Sequence, residues 1–236
     1  MKFPSLHKLI SYQDSSLEEL HYGTAFRHAA ATPLSTLLIN LEMIEQHRAL
    51  QQSSYLQQAV RSARRLKKLF QLEGSDSQKA KEATFLVKPA LKSAVKLVSP
   101  LRAKTLIRTH LVFPDKLQLK GNEFYFQEAV ICTLKNAIEA YDATGVDQNR
   151  VVLLTGRREK IADSRLGLKL SFIDGGSGLG WLERSLVFAE GYTSKKSGSG
   201  LGLVWVKRVV EEHLEGEIEL KSRKQQGTTM TWHLPL

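Results

Sequence analysis

The chain has a single cysteine in 236 residues, Cys132. A lone thiol closes no intrachain disulfide and cannot by itself build a cysteine metal site. No apolar run is long enough to cross a bilayer. The opening residues, MKFPSLHKLISYQDSS, carry neither the long apolar core nor the small-residue cleavage site of a secretory leader. These absences make a cytoplasmic location the expectation. Acidic residues are also in short supply, 24 against 34 Lys and Arg, for a net charge of +10. Such an excess suits nucleic acid, an anionic membrane surface or an acidic protein. Its densest stretch, RSARRLKKLF at 61–70, lacks the glycine-aromatic pattern of a common RNA-binding motif and the spacing of a zinc finger. It reads as a solvated helix face, and nucleic acid is not an expected partner.

What is present is a 42% hydrophobic chain with room for one large or two small domains. Its front half is helical in pattern. Phe26, Ala30, Leu34, Leu37, Leu41 and Ile44 recur every three or four residues, which is one stripe on a helix. Leu56, Ala59, Ala63, Leu66 and Phe70 form a second stripe after a polar turn. Two such helices cannot enclose a core alone, so residues 1–73 are expected to form a hairpin that pairs with a second copy in a homodimeric four-helix bundle. Residues 74–83 are small and polar and read as a linker. Residues 84–236 mix helical and alternating patterns. Helices are expected at about 88–98 and 123–141, strands at TLIRTHLVF, RVVLLTGR and LGLKLSFID, and a terminal hairpin in GEIELKSRKQQGTTMTWHLP. The fold class is therefore α+β, with helices on one side of a mostly antiparallel sheet.

Several residues stand out for their chemistry. His28 lies roughly opposite the apolar stripe of its helix at about 100° per residue, so its imidazole is expected to face solvent. Pro33 should bend the helix beside it. Asp174 ends an alternating strand and is followed by Gly175, Gly176, Gly178 and Gly180. A carboxylate there can accept from an exocyclic amine while the glycines admit a flat ring; a plain glycine-rich turn is the alternative. Gly198, Gly200 and Gly202 precede a helix expected from about Leu203, whose amino end and loop N–H groups would favour an anion, with Lys195 adding a full charge. Asn136 lies mid-helix, where Asn is mildly unfavourable, and its side-chain amide suits a phosphate, or a hydrated Mg2+ through its oxygen.

In this order, the blocks RHAAATPLSTLLINLEMI, TLKNAIEA, IDGGSGLG, VFAEGYTSKK, GSGLGLVWVKRVVEEHLEGEIEL and QGTTMTWHLP resemble the catalytic core of the sensor histidine kinases of two-component systems. The back half also resembles the wider ATP-binding superfamily that includes gyrase, Hsp90 and MutL. The resemblance implies a two-layer sandwich that encloses ATP under a mobile lid. It makes His28 the phosphoacceptor, followed by Thr32, Pro33 and Leu34 in the family's H-x-x-x-T-P-L pattern. Asn136 would hold Mg2+ and the phosphates, and Asp174 would read adenine with Gly176 and Gly178 beside it. Phe188 would be the lid phenylalanine and Lys195 would reach a phosphate. Gly198, Gly200, Leu201 and Gly202 would form the phosphate lid and helix cap, and Gly227 and Thr228 would lie near the adenine pocket.

Two positions depart from the family pattern. Ala29 stands where an acidic residue commonly takes the imidazole proton, and such a base is worth ~10²–10⁴ in rate. Cys132 stands four residues before Asn136, where kinases often carry a second Asn and hydrolysing relatives a Glu. The resemblance implies an ATP-dependent protein histidine kinase that phosphorylates His28 and passes the phosphoryl group to an aspartate of an acidic response regulator receiver. The alternative is a weak or inactive phosphotransfer or scaffold protein that retains its nucleotide domain. The pattern leaves little room for a sensor ahead of the hairpin, so input is expected from a separate partner, the first twenty residues or a region outside this chain.

Overall fold

The computed structural model describes residues 83–98, 104–145, 149–160, 166–193, 200 and 202–236. The expected hairpin, its dimer and the linker lie outside the described residues, apart from residue 83. In chain order the elements are β1 (Thr84–Leu86), α1 (Val87–Val98), β2 (Thr105–Val112), β3 (Gln118–Lys120), α2 (Glu123–Glu139), β4 (Arg150–Lys160), β5 (Leu166–Asp174), α3 (Trp181–Leu186), α4 (Gly202–Arg208), β6 (Glu217–Ser222) and β7 (Thr228–Pro235). A 3-10 turn, Asp142–Thr144, follows α2, and a π turn, Val209–His213, continues α4.

The sheet has the order β2-β4-β5-β7-β6. β2 runs parallel to β4 and the other pairings are antiparallel. The alternation of each strand decides which face is buried. Val152 and Leu154, Leu168, Leu170 and Phe172, and Met230, Trp232 and Leu234 all point to one side and are buried there. That face is covered by α2, which packs across β4 and β5 with α1 and α4 beside it. Trp232 is the centre of the core, fully buried, with its ring 4.8 Å from Phe172 and 6.3 Å from Phe126. The α+β layering and the mixed sheet match the expectation for the back half.

Capping explains where α2 starts. Asn122 Oδ1 accepts from the N–H groups of Phe124 (2.9 Å) and Tyr125 (3.3 Å), satisfying donors that the first turn leaves open. The small β1–β3 pair was not expected, because three-residue strands are too short to show a period. Nor was α3, which begins at Gly180, whose N–H donates to Glu183 Oε2 at 2.6 Å. The π turn arises where the Leu214 N–H donates to the Val209 carbonyl, five residues back.

Candidate functional site

Asp174 occupies the last rung of β5, opposite Val152 on one side and Thr228 on the other. It is buried, at 8% exposure. Burial pushes its carboxyl up to about 6, although the N–H groups of Gly176 and Thr228 donate to it and oppose the rise. The Gly176 bond is 2.8 Å, to Oδ1. A buried carboxylate held by its own backbone, with acceptor capacity left over, is suited to one polar ligand group.

The turn after Asp174 is fixed on every side. The Gly175 N–H donates to the Tyr141 hydroxyl (2.8 Å), which donates to the Val151 carbonyl (2.7 Å). The Ser177 N–H donates to the Ala140 carbonyl at 2.9 Å, and the Ser177 carbonyl accepts from Gln225 at 2.6 Å. The Leu179 N–H donates to Ser222 Oγ at 2.8 Å, and that hydroxyl lies 2.9 Å from Thr228 Oγ1. The glycines are required by this closeness. A Cβ on Gly176 would lie 2.8 Å from the Ala140 carbonyl oxygen, and one on Gly178, at φ +60°, would collide with the Arg223 carbonyl.

Ala140 lies one helical turn beyond Asn136, so α2 links the Asp174 turn to the second part of the site. Asn136 is half-buried, with Nδ2 3.9 Å from Cys132 Sγ. The amino end of α4 comes down on this pair: a Cβ on Gly202 would fall 2.8 Å from Cys132 Sγ and 3.9 Å from Asn136 Nδ2. Glycine thus brings backbone against α2 where a side chain would fill the space. Gly200, at φ +70°, rests against the backbone of Gly191 and Tyr192. Phe188 is half-buried before that segment, with Lys207 Nζ 5.9 Å from its ring centre.

The structure therefore unites Asp174, Gly176, Gly178 and Thr228 at one end and Asn136 and Gly202 at the other. His28, Thr32, Lys195, Gly198 and Leu201 lie outside the described residues. Among the described residues no group of three or more His, Cys, Asp or Glu could hold a metal ion. Asn136 offers one side-chain amide oxygen, a hard ligand of the kind Mg2+ takes together with phosphates and water. Tyr141 and Ser222 were not singled out by sequence. Each falls at the end of an expected element, Tyr141 of a helix and Ser222 of a strand, and only the fold brings their hydroxyls to the turn.

Residues 121–236 match the family model described as "Histidine kinase-, DNA gyrase B-, and HSP90-like ATPase". Among curated proteins, the chain is similar to the sensor histidine kinase ZraS of Escherichia coli K12, 34% identical over 101 residues, covering 43% of this chain and 19% of ZraS. It is also 34% identical over 121 residues to the C4-dicarboxylate transport sensor protein DctB of Rhizobium meliloti, covering 51% of this chain and 18% of DctB. The chain thus spans about a fifth of the length of these relatives. Among solved structures, the mycobacterial sensor histidine kinase MprB aligns with a TM-score of 0.55 at 23% identity, over 65% of this chain and 97% of that one. The catalytic domain of histidine kinase ThkA aligns at 0.53 and 18% identity, over 65% and 94%. At those identities the likeness is one of fold. Together, the matched residues 121–236 and the sensor-kinase relatives support a histidine kinase-like ATP-binding core over the back half of the chain, and the solved structures share its fold.

Proposed function

We propose that this chain is an ATP-dependent protein histidine kinase that phosphorylates its own His28 and passes the phosphoryl group to an aspartate of a response regulator receiver. The observation that supports this most is the buried Asp174 carboxylate, held at the edge of a glycine cradle one helix away from Asn136. Asp174 would accept from the exocyclic amine of adenine, with Gly176 and Gly178 giving the base room. Asn136 would serve the phosphate end, its amide NH2 donating to a phosphate oxygen or its amide oxygen taking Mg2+, beside the amino end of α4. Lys195 would bring a positive charge to the phosphates, and Gly198, Gly200, Leu201 and Gly202 would supply backbone N–H donors. Mg2+, held by Asn136, would neutralise charge spread over the phosphoryl oxygens.

The transfer balances simply. The lone pair of a neutral His28 nitrogen forms the N–P bond as the bond to the bridging oxygen breaks, and ADP leaves with that electron pair. The remaining ring proton goes to solvent or a neighbouring base, since Ala29 cannot take it. Thr32 would sit one turn on, where the family pattern places it. A homodimer and a basic helical surface would suit an acidic receiver, with steering that weakens as salt rises. Input would come from a separate sensor partner or a region outside this chain.

Incubation with γ-labelled ATP tests the reading: acid-labile, alkali-stable label is expected on the wild type and none on His28→Gln. Label that persists in the variant overturns His28 as acceptor. Ala29 and Cys132 favour a second reading, a weak or inactive phosphotransfer protein with a retained nucleotide domain. Calorimetry showing Mg2+-dependent ATP binding without any labelling would select it.

A further inference from the structure

The β4–β5 ladder ends at Val152 opposite Asp174. The next residues along, Val151 and Gly175, are not a rung of the ladder. The Tyr141 hydroxyl lies between them, accepting from the Gly175 N–H and donating to the Val151 carbonyl. A side chain from the end of α2 has thus been inserted between two strands at the residue after the base-reading carboxylate. We propose that Tyr141 is a positioning residue for base recognition: its hydroxyl sets the place of the Asp174 turn relative to α2, and so sets the preference for a purine nucleotide that bears an exocyclic amine. This rests on the nucleotide reading of the same site.

The wedge is rigid at both ends. Tyr141 is buried at 6% exposure, and Arg150 lies over its ring at 6.0 Å. The Arg150 Nη1 donates to Asp142 Oδ1 at 2.7 Å, which clamps the turn after Tyr141 to the start of β4. Thr144 Oγ1 donates to the Tyr141 carbonyl at 2.7 Å, closing the same turn. The ring therefore cannot slide along β4, and the hydroxyl is held by the helix that also carries Asn136. Removing it leaves two backbone groups at the end of the ladder, the Gly175 N–H and the Val151 carbonyl, without that partner. They can recover by pairing with each other, which lengthens the ladder by one rung and draws the Asp174 turn toward the sheet. The carboxylate then no longer meets the amine where α2 places the phosphates.

The test is calorimetric binding of ADP and of inosine diphosphate, which lacks the amine, to full-length wild type and Tyr141→Phe. The variant is expected to lose about fivefold to tenfold in ADP affinity, the worth of about one hydrogen bond, while inosine diphosphate changes less than about twofold, so discrimination falls. A role in stability alone would lower the melting temperature and leave that discrimination intact, and this result overturns the proposal. Gly175→Ala gives an independent handle, because its Cβ would sit 3.2 Å from the Tyr141 hydroxyl oxygen. Its effect on ADP affinity is expected to shrink in the Tyr141→Phe background; simple additivity counts against the wedge. A wild type that binds neither nucleotide overturns the nucleotide reading itself, and one that binds both alike overturns amine recognition by Asp174 and the proposal with it.

Discussion

Replacing Asp174 with asparagine separates the charge of the site from its shape. In the ligand-free fold the carboxyl titrates near 6, raised chiefly by burial. An amine donor requires the ionised form, so at pH 5 only about a tenth of the protein is ready to bind, and the apparent affinity for ADP should fall about tenfold, or ~1.4 kcal/mol, between pH 7 and pH 5. The nucleotide's own phosphates titrate in the same range, but they do so equally for Asp174→Asn, which has no carboxyl to protonate. The ratio of wild-type to variant affinity is therefore the quantity to measure, by calorimetry without Mg2+ from pH 5 to 7.5. It should be about tenfold to a hundredfold at pH 7.5, the worth of a charge-assisted bond of ~1.5–3 kcal/mol, and should narrow as pH falls. Stability carries the opposite sign. A carboxyl raised above its unfolded value binds more protons in the folded state, so its contribution is fully present below pH 4 and is lost as pH rises through about 6. The cost is about 3 kcal/mol. Hence the variant's melting temperature should gain on the wild type's as pH climbs from 4 to 6. An affinity ratio that stays flat across pH would refute the assignment of Asp174 as the amine acceptor.

Other predictions use different parts of the molecule. Gly202→Val should abolish nucleotide binding measured by calorimetry while the far-ultraviolet spectrum stays native, because its side chain would occupy the gap against Cys132 and Asn136. Trp232→Ala should cost about 3–5 kcal/mol in denaturant unfolding. Trp232→Phe should cost much less, since the indole Nε1 has no hydrogen-bond partner to lose. Ala29→Glu should raise the rate of labelling from γ-labelled ATP by about a hundredfold or more if a proton acceptor beside His28 is what the chain lacks, within the ~10²–10⁴ range of general-base catalysis.

The sequence made the strands and long helices of the back half legible because each has a period its packing must obey. LGLKLSFID alternates and forms β5 over those same residues, and α2 ends within two residues of its expected bound. Asp174, Gly176, Gly178 and Gly202 could be picked out as well, since glycine clusters mark backbone that passes close to something. What stayed hidden depends on tertiary contact. Tyr141 reads as the last residue of an expected helix, yet its hydroxyl joins two strands. Ser222 reads as a strand residue, yet it receives the Leu179 N–H from a distant loop. Leu214 bonding back to Val209 gives no local signal, because the choice between four- and five-residue spacing there is made by packing.

Gly200 meets the backbone of Gly191 and Tyr192, so the two ends of the stretch between them stand side by side like gateposts. Whatever length of sequence is strung between those two posts, the walls of the domain need not move. Doubling such a tether costs only about 0.6 kcal/mol in closure entropy. That stretch can therefore lengthen, shorten or change in sequence over descent while the strands and helices on either side of it are inherited unchanged.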